Sequence, residues 1–395
     1  MKATKLFREF FNSEKSSGIV LIVCTVASLL LSNFFIGEKY LDFWHQKAGF
    51  SIGSIHLKLT IEHWINDGLM TIFFLMVGLE IERELYTGEL STLKNASLPV
   101  IAAIGGMAIP ALFHFALNAG TPTQIVFGIP MATDIAFALG ILSLAGKRVP
   151  LALKIFLTAL AIIDDLGAIM IIAIFYTSEL QIPYLFIALG IFVLLLLLNR
   201  LRVRQLVWYI IGGIIMWYCM LQSGVHATIT GVLLAFAIPF GDGKEKSPSY
   251  ILQHWLHKPV AFIIVPLFCF ANTGIIFSGS LNDVLLNSNS LGIIAGLVIG
   301  KPVGILLLCF IAIKLKLGKM PDGVNWLQLT AAGILAGIGF TMSIFITLLA
   351  FNDSNIIQHS KIAILIASFV AGLAGFILIK KATKLSPIVN EGEEE

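Results

Sequence analysis

LALKIFLTALAIIDDLGAIMIIAIFY (151–176) places two adjacent carboxylates, Asp164 and Asp165, at the centre of a stretch whose only other charge is Lys154, near one end. As a helix rising 1.5 Å per residue it would cover roughly 39 Å, enough to cross a hydrocarbon layer of about 30 Å. Stretches of this kind recur along the whole chain. Charged residues make up 12% of the sequence and hydrophobic residues 57%, with a mean hydropathy of +0.93. A soluble domain carries about a quarter charged residues, so this composition belongs to an all-α integral membrane protein.

Working outward from 151–176, twelve spans are expected. They are 18–36, 65–83, 97–117, 124–144, 151–176, 182–199, 205–221, 224–240, 259–277, 291–313, 327–351 and 362–380. The first follows a polar, basic stretch and has no small-x-small exit, so it reads as an uncleaved span. The eighth starts on polar residues, Gly224, His226 and Thr228. With the N-terminus in the cytoplasm, 20 Lys and Arg fall on the inner side and 4 on the outer, while Lys154 and Lys301 lie within spans. That asymmetry puts both termini inside. Residues 1–384 form one membrane domain, followed by an acidic cytoplasmic tail at 385–395. The net charge of +3 is too small to suggest nucleic acid. Cys24, Cys219, Cys269 and Cys309 stand singly in apolar segments and read as packing residues, not disulfides or metal ligands.

One outer connection is long. In FSIGSIHLKLTI (50–61), apolar residues alternate on both sides of Gly53-Ser54, which predicts a β-hairpin with a two-residue turn, spanning about 47–61. An isolated hairpin is barely stable in water. It packs either on its own chain or along the edge of a second protomer.

Four charges sit at mid-span depth: Asp134, Asp164, Asp165 and Lys301. Each costs about 2.5–3.5 kcal/mol there even on the lenient insertion scale. A structural salt bridge accounts for Lys301 and one acid but leaves carboxylates over, and surplus buried carboxylates are what a cation or proton path needs. The backbone beside them is irregular. Pro130 precedes Ala132-Thr133-Asp134 in the fourth span, and Gly333, Gly337 and Gly339 fall in the middle of the eleventh. Proline removes a helical hydrogen bond, and glycines weaken a helix interior or permit close packing. Spans four and eleven run in opposite directions, and each is the middle of a trio, 3-4-5 and 10-11-12. Paired interruptions in two inverted halves point to a binding site at the midplane. Unwound centres would expose two partly positive and two partly negative helix ends. Asp134 has the sign to offset the first pair and Lys301 the second, which leaves Asp164 and Asp165 for ion chemistry.

Three classes compete. An intramembrane aspartyl protease would use midplane acids but gives Lys301 and the mirrored breaks no role. A channel would show rings of like residues around a pore. A secondary transporter uses every feature. The chain also resembles the NhaA-type sodium/proton antiporters from about Phe7 to Lys384. The resemblance is carried by WINDGLMTIFFLMVGLEIERE (64–84), ATDIAFALG (132–140), RVPLALKIFLTALAIIDDLGAI (148–169), SGVHAT (223–228), PLFCFAN (266–272), GIIAGLVIGKP (292–302) and GIGFTMSIFI (337–346). It implies a bacterial inner-membrane protein, not an enzyme, with twelve helices in inverted repeats and crossed interrupted helices. It further implies electrogenic exchange of Na⁺ or Li⁺ for H⁺, with no cofactor, and a homodimer held through the outer hairpin. By the same resemblance Asp164 and Asp165 carry the ions and protons, supported by Thr133, Asp134 and Lys301.

Two positions depart from the family pattern: Glu82, where a basic residue is usual, and Thr273, where alanine is usual. The first makes an acidic cluster with Glu80 and Glu84 at the cytoplasmic end of span two and bears on the pH set-point. Glu80 and Glu84 read as a cation-attracting mouth or as solvated helix ends. His226 reads as a pH sensor or as a hydrogen-bonded packing histidine. Asp67 and Lys154, near span ends, are placed to reach toward water.

Overall fold

The computed structural model describes residues 5–52, 55–146, 148–176, 180–276 and 281–385. Ten of its helices are long and apolar enough to cross a membrane. They are Ser16–Phe35, Ile61–Tyr86, Lys94–Leu117, Leu151–Phe175, Ile182–Arg200, Leu206–Ser223, Pro248–Asn272, Ser288–Lys314, Trp326–Ala350 and Ser354–Lys384. An eleventh passes the same test only when Pro122–Met131 and Ile135–Leu144, bent by 42°, are joined. In the region expected to form the eighth span, the described helix is Ile229–Ala237, nine residues long. At 1.5 Å per residue it rises only about 14 Å. Gly224, left-handed at φ 82°, ends the preceding helix, and a turn through Ala227 and Thr228 separates the two.

The outer faces require an apolar solvent. Ile182–Arg200 buries only Ala188 and Leu195, while Phe186, Val193 and Leu197 stand 69%, 53% and 54% exposed. So continuous an apolar surface cannot face water. The protein is multi-pass in a membrane.

Inside, the packing is dominated by a large core cluster and a second, smaller one. The large cluster collects Leu21, Ala102, Leu139, Leu157, Phe268, Leu297, Ile305, Leu335, Phe345 and Ala367. The smaller one joins Leu79, Leu195, Tyr209, Met216 and Ala235. Val77, Ile81 and Ile162 make a thin apolar seam of their own. Glycine allows the closest approaches: a Cβ on Gly105 would collide with the carbonyl of Gly304, and one on Gly304 with that of Gly105. The Lys94–Leu117 and Ser288–Lys314 helices therefore touch backbone to backbone, the small-residue contact typical of membrane bundles.

The outer connection carries a short helix, Glu38–His45, and a hairpin of β1 (Lys47–Ile52) and β2 (Ile55–Thr60). The strands are antiparallel, pairing Ala48 with Leu59 and Phe50 with Leu57. Trp64 Nε1 donates to Ala48 O at 2.9 Å, tying the hairpin to the start of the next helix. The expected turn, Gly53-Ser54, lies outside the described residues, as do Lys147 and residues 386–395 of the acidic tail.

Candidate functional site

Two breaks in helix geometry meet in the protein interior. Residues Ile129–Met131 form a 3₁₀ turn, Ala132 to Asp134 run extended, and Ile135 starts a new helix. Pro130 lies in the 3₁₀ turn, packed close to Gly296. In the other stretch, Trp326–Ala336 ends before Gly337-Ile338-Gly339, and Phe340–Ala350 follows. Each break supplies partners for the other. Asp134 N donates to Ile338 O at 2.7 Å, and Ser343 Oγ donates to Ile129 O at 2.7 Å.

Asp134, 2% exposed, accepts from both helix beginnings. Its Oδ1 takes Phe137 N at 3.0 Å. Its Oδ2 takes Thr341 N at 3.0 Å and Thr341 Oγ1 at 2.5 Å. One carboxylate thus caps two N-terminal ends, where partial positive charge collects. The C-terminal ends find donors instead. Lys301 Nζ donates to Met131 O, and Thr133 Oγ1 lies 3.0 Å from Ala336 O.

The same two groups reach Asp164, the single hydroxyl proton of Thr133 being shared between it and Ala336 O. Lys301 Nζ is 2.9 Å from Asp164 Oδ2, both side chains being fully buried, and Thr133 Oγ1 is 2.9 Å from the same oxygen. Among the described residues Asp164 Oδ1 has no hydrogen-bond partner, and Asp165, 1% exposed, has none on either oxygen. Three buried carboxylate oxygens thus lack a donor among these residues. Buried ionised oxygens are costly unless paired, so these are open to a proton or a cation. A hard cation seeks such ligands, by extension from the rule for Ca²⁺ and Mg²⁺.

Asp165 and Asp134 line a cavity of about 50 Å³, together with Ser17, Glu80, Val265 and Thr341. That is room for water-sized occupants. Glu80 is 4% exposed and hydrogen-bonded to Gln253. The other residues singled out from the sequence lie elsewhere. Glu84 pairs with Arg83 Nη2 at 2.9 Å, and Glu82 keeps a buried Oε2 without a partner among the described residues. His226 Nε2 sits 2.9 Å from Tyr176 O, at the end of the Leu151–Phe175 helix. Asp67 pairs with His63 at 2.7 Å, and its carbonyl accepts from Trp217 Nε1 at 2.9 Å. Among the described residues no group of three His, Cys, Asp or Glu is arranged to hold a resident metal ion.

Sequence reasoning missed Thr341, Ser343 and the Met131 carbonyl. The first two left a signal: hydroxyl residues directly following a glycine break in a segment otherwise apolar.

The comparisons with known proteins agree on one family. The profile described as Na⁺/H⁺ antiporter 1 matches residues 8–379. A Flavobacterium psychrophilum protein named Na⁺/H⁺ antiporter NhaA is 60% identical over 392 residues, covering 99% of this chain and all of its own. Proteins of the same name from Dechloromonas aromatica and Citrobacter koseri are 58% and 49% identical, covering 95% and 98% of this chain and 96% and 100% of theirs. The chain belongs to the Na⁺/H⁺ antiporter 1 family.

Proposed function

We propose that this protein exchanges Na⁺ or Li⁺ for protons across a bacterial inner membrane, with Asp164 and Asp165 as the shared ion and proton sites. The observation that carries the reading is the set of three unpartnered oxygens on these two residues, beside a cavity that Asp165 lines. A carboxylate that is neutral with a proton and anionic when it ligates Na⁺ cannot hold both. Binding one expels the other, and that linkage suffices for exchange.

The neighbours support the reading. Asp134 compensates the positive ends of the two breaks and stays out of the ion chemistry. Lys301 and Thr133 hold Asp164 on one oxygen, so an arriving Na⁺ competes with the ammonium for that residue. The breaks themselves are the interrupted centres of the fourth and eleventh of twelve spans, arranged as inverted repeats, the short Ile229–Ala237 helix belonging to the eighth. With both termini in the cytoplasm, Ser17 and Glu80 lie in the inner halves of the first two spans. The cavity then leads inward, and Glu80 is its cation-attracting mouth. Glu84 and His226, which do not line the cavity, act on pH response indirectly. Exchange is electrogenic, driven by inward proton flow, and two protomers pair through β1 and β2.

The test is reconstitution of the pure protein in liposomes carrying a proton gradient. Added Na⁺ or Li⁺ should dissipate the gradient, and K⁺ should not. A gradient indifferent to Na⁺ and Li⁺ would end this reading.

A further inference from the structure

Among the described residues, only two non-glycine residues have positive φ: Arg202 at 60° and Lys316 at 59°. Each closes the C-terminus of a long apolar helix, where glycine is the default because it alone adopts that conformation without penalty. At Lys316 the closure is complete. Leu315 N donates to Ile311 O at 2.9 Å, Lys316 N to Ile313 O at 3.1 Å, and Leu317 N to Ala312 O at 2.9 Å. A lysine there carries a backbone cost that glycine would avoid, and its side chain stands exposed beyond the helix end.

The surroundings say what the cation faces. Lys314, Lys316 and Lys319 are exposed, and none makes an ion pair among the described residues. Leu315 and Leu317, between them, are 62% and 57% exposed. Beside the turn stands Trp326, 43% exposed, its ring 6.0 Å from Phe310, over which Lys314 Nζ sits at 5.9 Å. Bare lysines would suit water, and bare leucines would suit lipid tails. Alternating on one rigid turn with an interfacial tryptophan, they match the boundary where phosphate and acyl chain meet.

We infer that the Lys314–Lys319 turn is a headgroup site for an anionic phospholipid, the leucines in the acyl region and the three ammonium groups on the phosphate. The inference rests on the proposed topology only in placing the turn at the inner surface of the bilayer. The site also ends the helix that carries Lys301, so a bound lipid would fix the level of that helix in the membrane.

The test uses the full-length protein, delipidated in a zwitterionic detergent and titrated with phosphatidylglycerol under native mass spectrometry. Lys316→Gly should lower phosphatidylglycerol affinity about fivefold, and adding Lys314→Gln and Lys319→Gln should bring the loss to the order of 100-fold. In lipid-free detergent Lys316→Gly should melt at or above the wild-type temperature, because glycine relieves the cap. Lost binding with retained stability cannot be blamed on misfolding. Unchanged phosphatidylglycerol affinity in the triple variant would overturn the proposal. So would displacement of the lipid by equimolar inorganic phosphate, or an equal loss of phosphatidylethanolamine binding. Exchange in liposomes is read separately, so failure of the transport reading leaves the lipid counts standing.

Discussion

Asp164 and Asp165 are chain neighbours with opposite structural circumstances, and changing each to asparagine should separate them. Asp164 is paired with Lys301 at 2.9 Å, both fully buried. Asp164→Asn keeps an acceptor but removes the countercharge, leaving the ammonium beside the Met131 carbonyl with no anion bonded to it. Breaking one side of a buried pair costs about 3–5 kcal/mol. Asp165 has no partner on either oxygen among the described residues. Asp165→Asn forfeits no hydrogen bond and replaces a group that can be buried charged with one that is always neutral, so it should not destabilise. Thermal unfolding in mild detergent should therefore show Asp164→Asn melting well below wild type and Asp165→Asn at or above it. Both should lose Na⁺-dependent proton release in liposomes. Adding Lys301→Met to Asp164→Asn should restore part of the lost stability, because no buried charge is then left unpaired, while the Met131 carbonyl loses its donor. Equal melting of the two single variants, or no recovery in the double, would refute the pairing on which this rests.

Three further outcomes follow from the same geometry. Asp134→Asn should slow exchange but not abolish it, since an amide oxygen still accepts from Phe137 N or Thr341 N; exchange lost as completely as in Asp165→Asn would show that Asp134 carries ions. Deleting residues 47–60 removes both β1 and β2 and should give monomers that still transport, which size-exclusion chromatography with light scattering would show; a deleted protein that stays dimeric would place the contact elsewhere. If proton and Na⁺ compete for the same carboxylate, the apparent Na⁺ KM should fall about tenfold per pH unit and level off once the acids are ionised, with little change in the maximal rate. Initial rates measured at equal pH on both sides decide this. A flat KM with a rate that switches on would move control to Glu80, Glu84 or His226.

How much was legible follows from the range over which each feature is encoded. The acids in 151–176 announce themselves because charge inside one apolar helix is a local signal. The hairpin was readable from alternation in a dozen residues, and its partner Trp64 lies close in sequence. The region 224–240 was harder. Its mean apolarity suggested a span, while Gly224 and the turn at Ala227 and Thr228 leave a described helix of nine residues. The short helix Glu38–His45 went unread because its polar residues mask two anchors, Tyr40 and Trp44, which are buried by packing that only the fold reveals. Tyr40 Oη donates to Phe270 O at 2.5 Å, across a sequence separation of 230. Thr341 escaped for the same reason: its bond to Asp134 spans 207 residues.

The two breaks illustrate that limit in its strongest form. Each can be suspected alone, Pro130 from its chemistry and the glycines from their clustering, yet neither is stable alone. A helix that stops in a dry interior leaves donors at one end and acceptors at the other, each expensive without a partner. Here the acceptors for Thr341 N and the donor to Ile338 O both come from Asp134, while the donor to Ile129 O comes from Ser343. The exchange is reciprocal, so neither break could persist if the other closed into regular helix. Gly337 lets its break lie close against the Ser288–Lys314 helix, since a Cβ there would strike the Leu297 carbonyl. Lys301 and Thr133 complete the set and, in doing so, tie it to Asp164. Any ion that draws Asp164 away from Lys301 therefore disturbs a donor that also serves Met131 O, at the end of one break. In the proposed cycle, ion binding and the geometry of the broken segments are thereby linked through a single ammonium group.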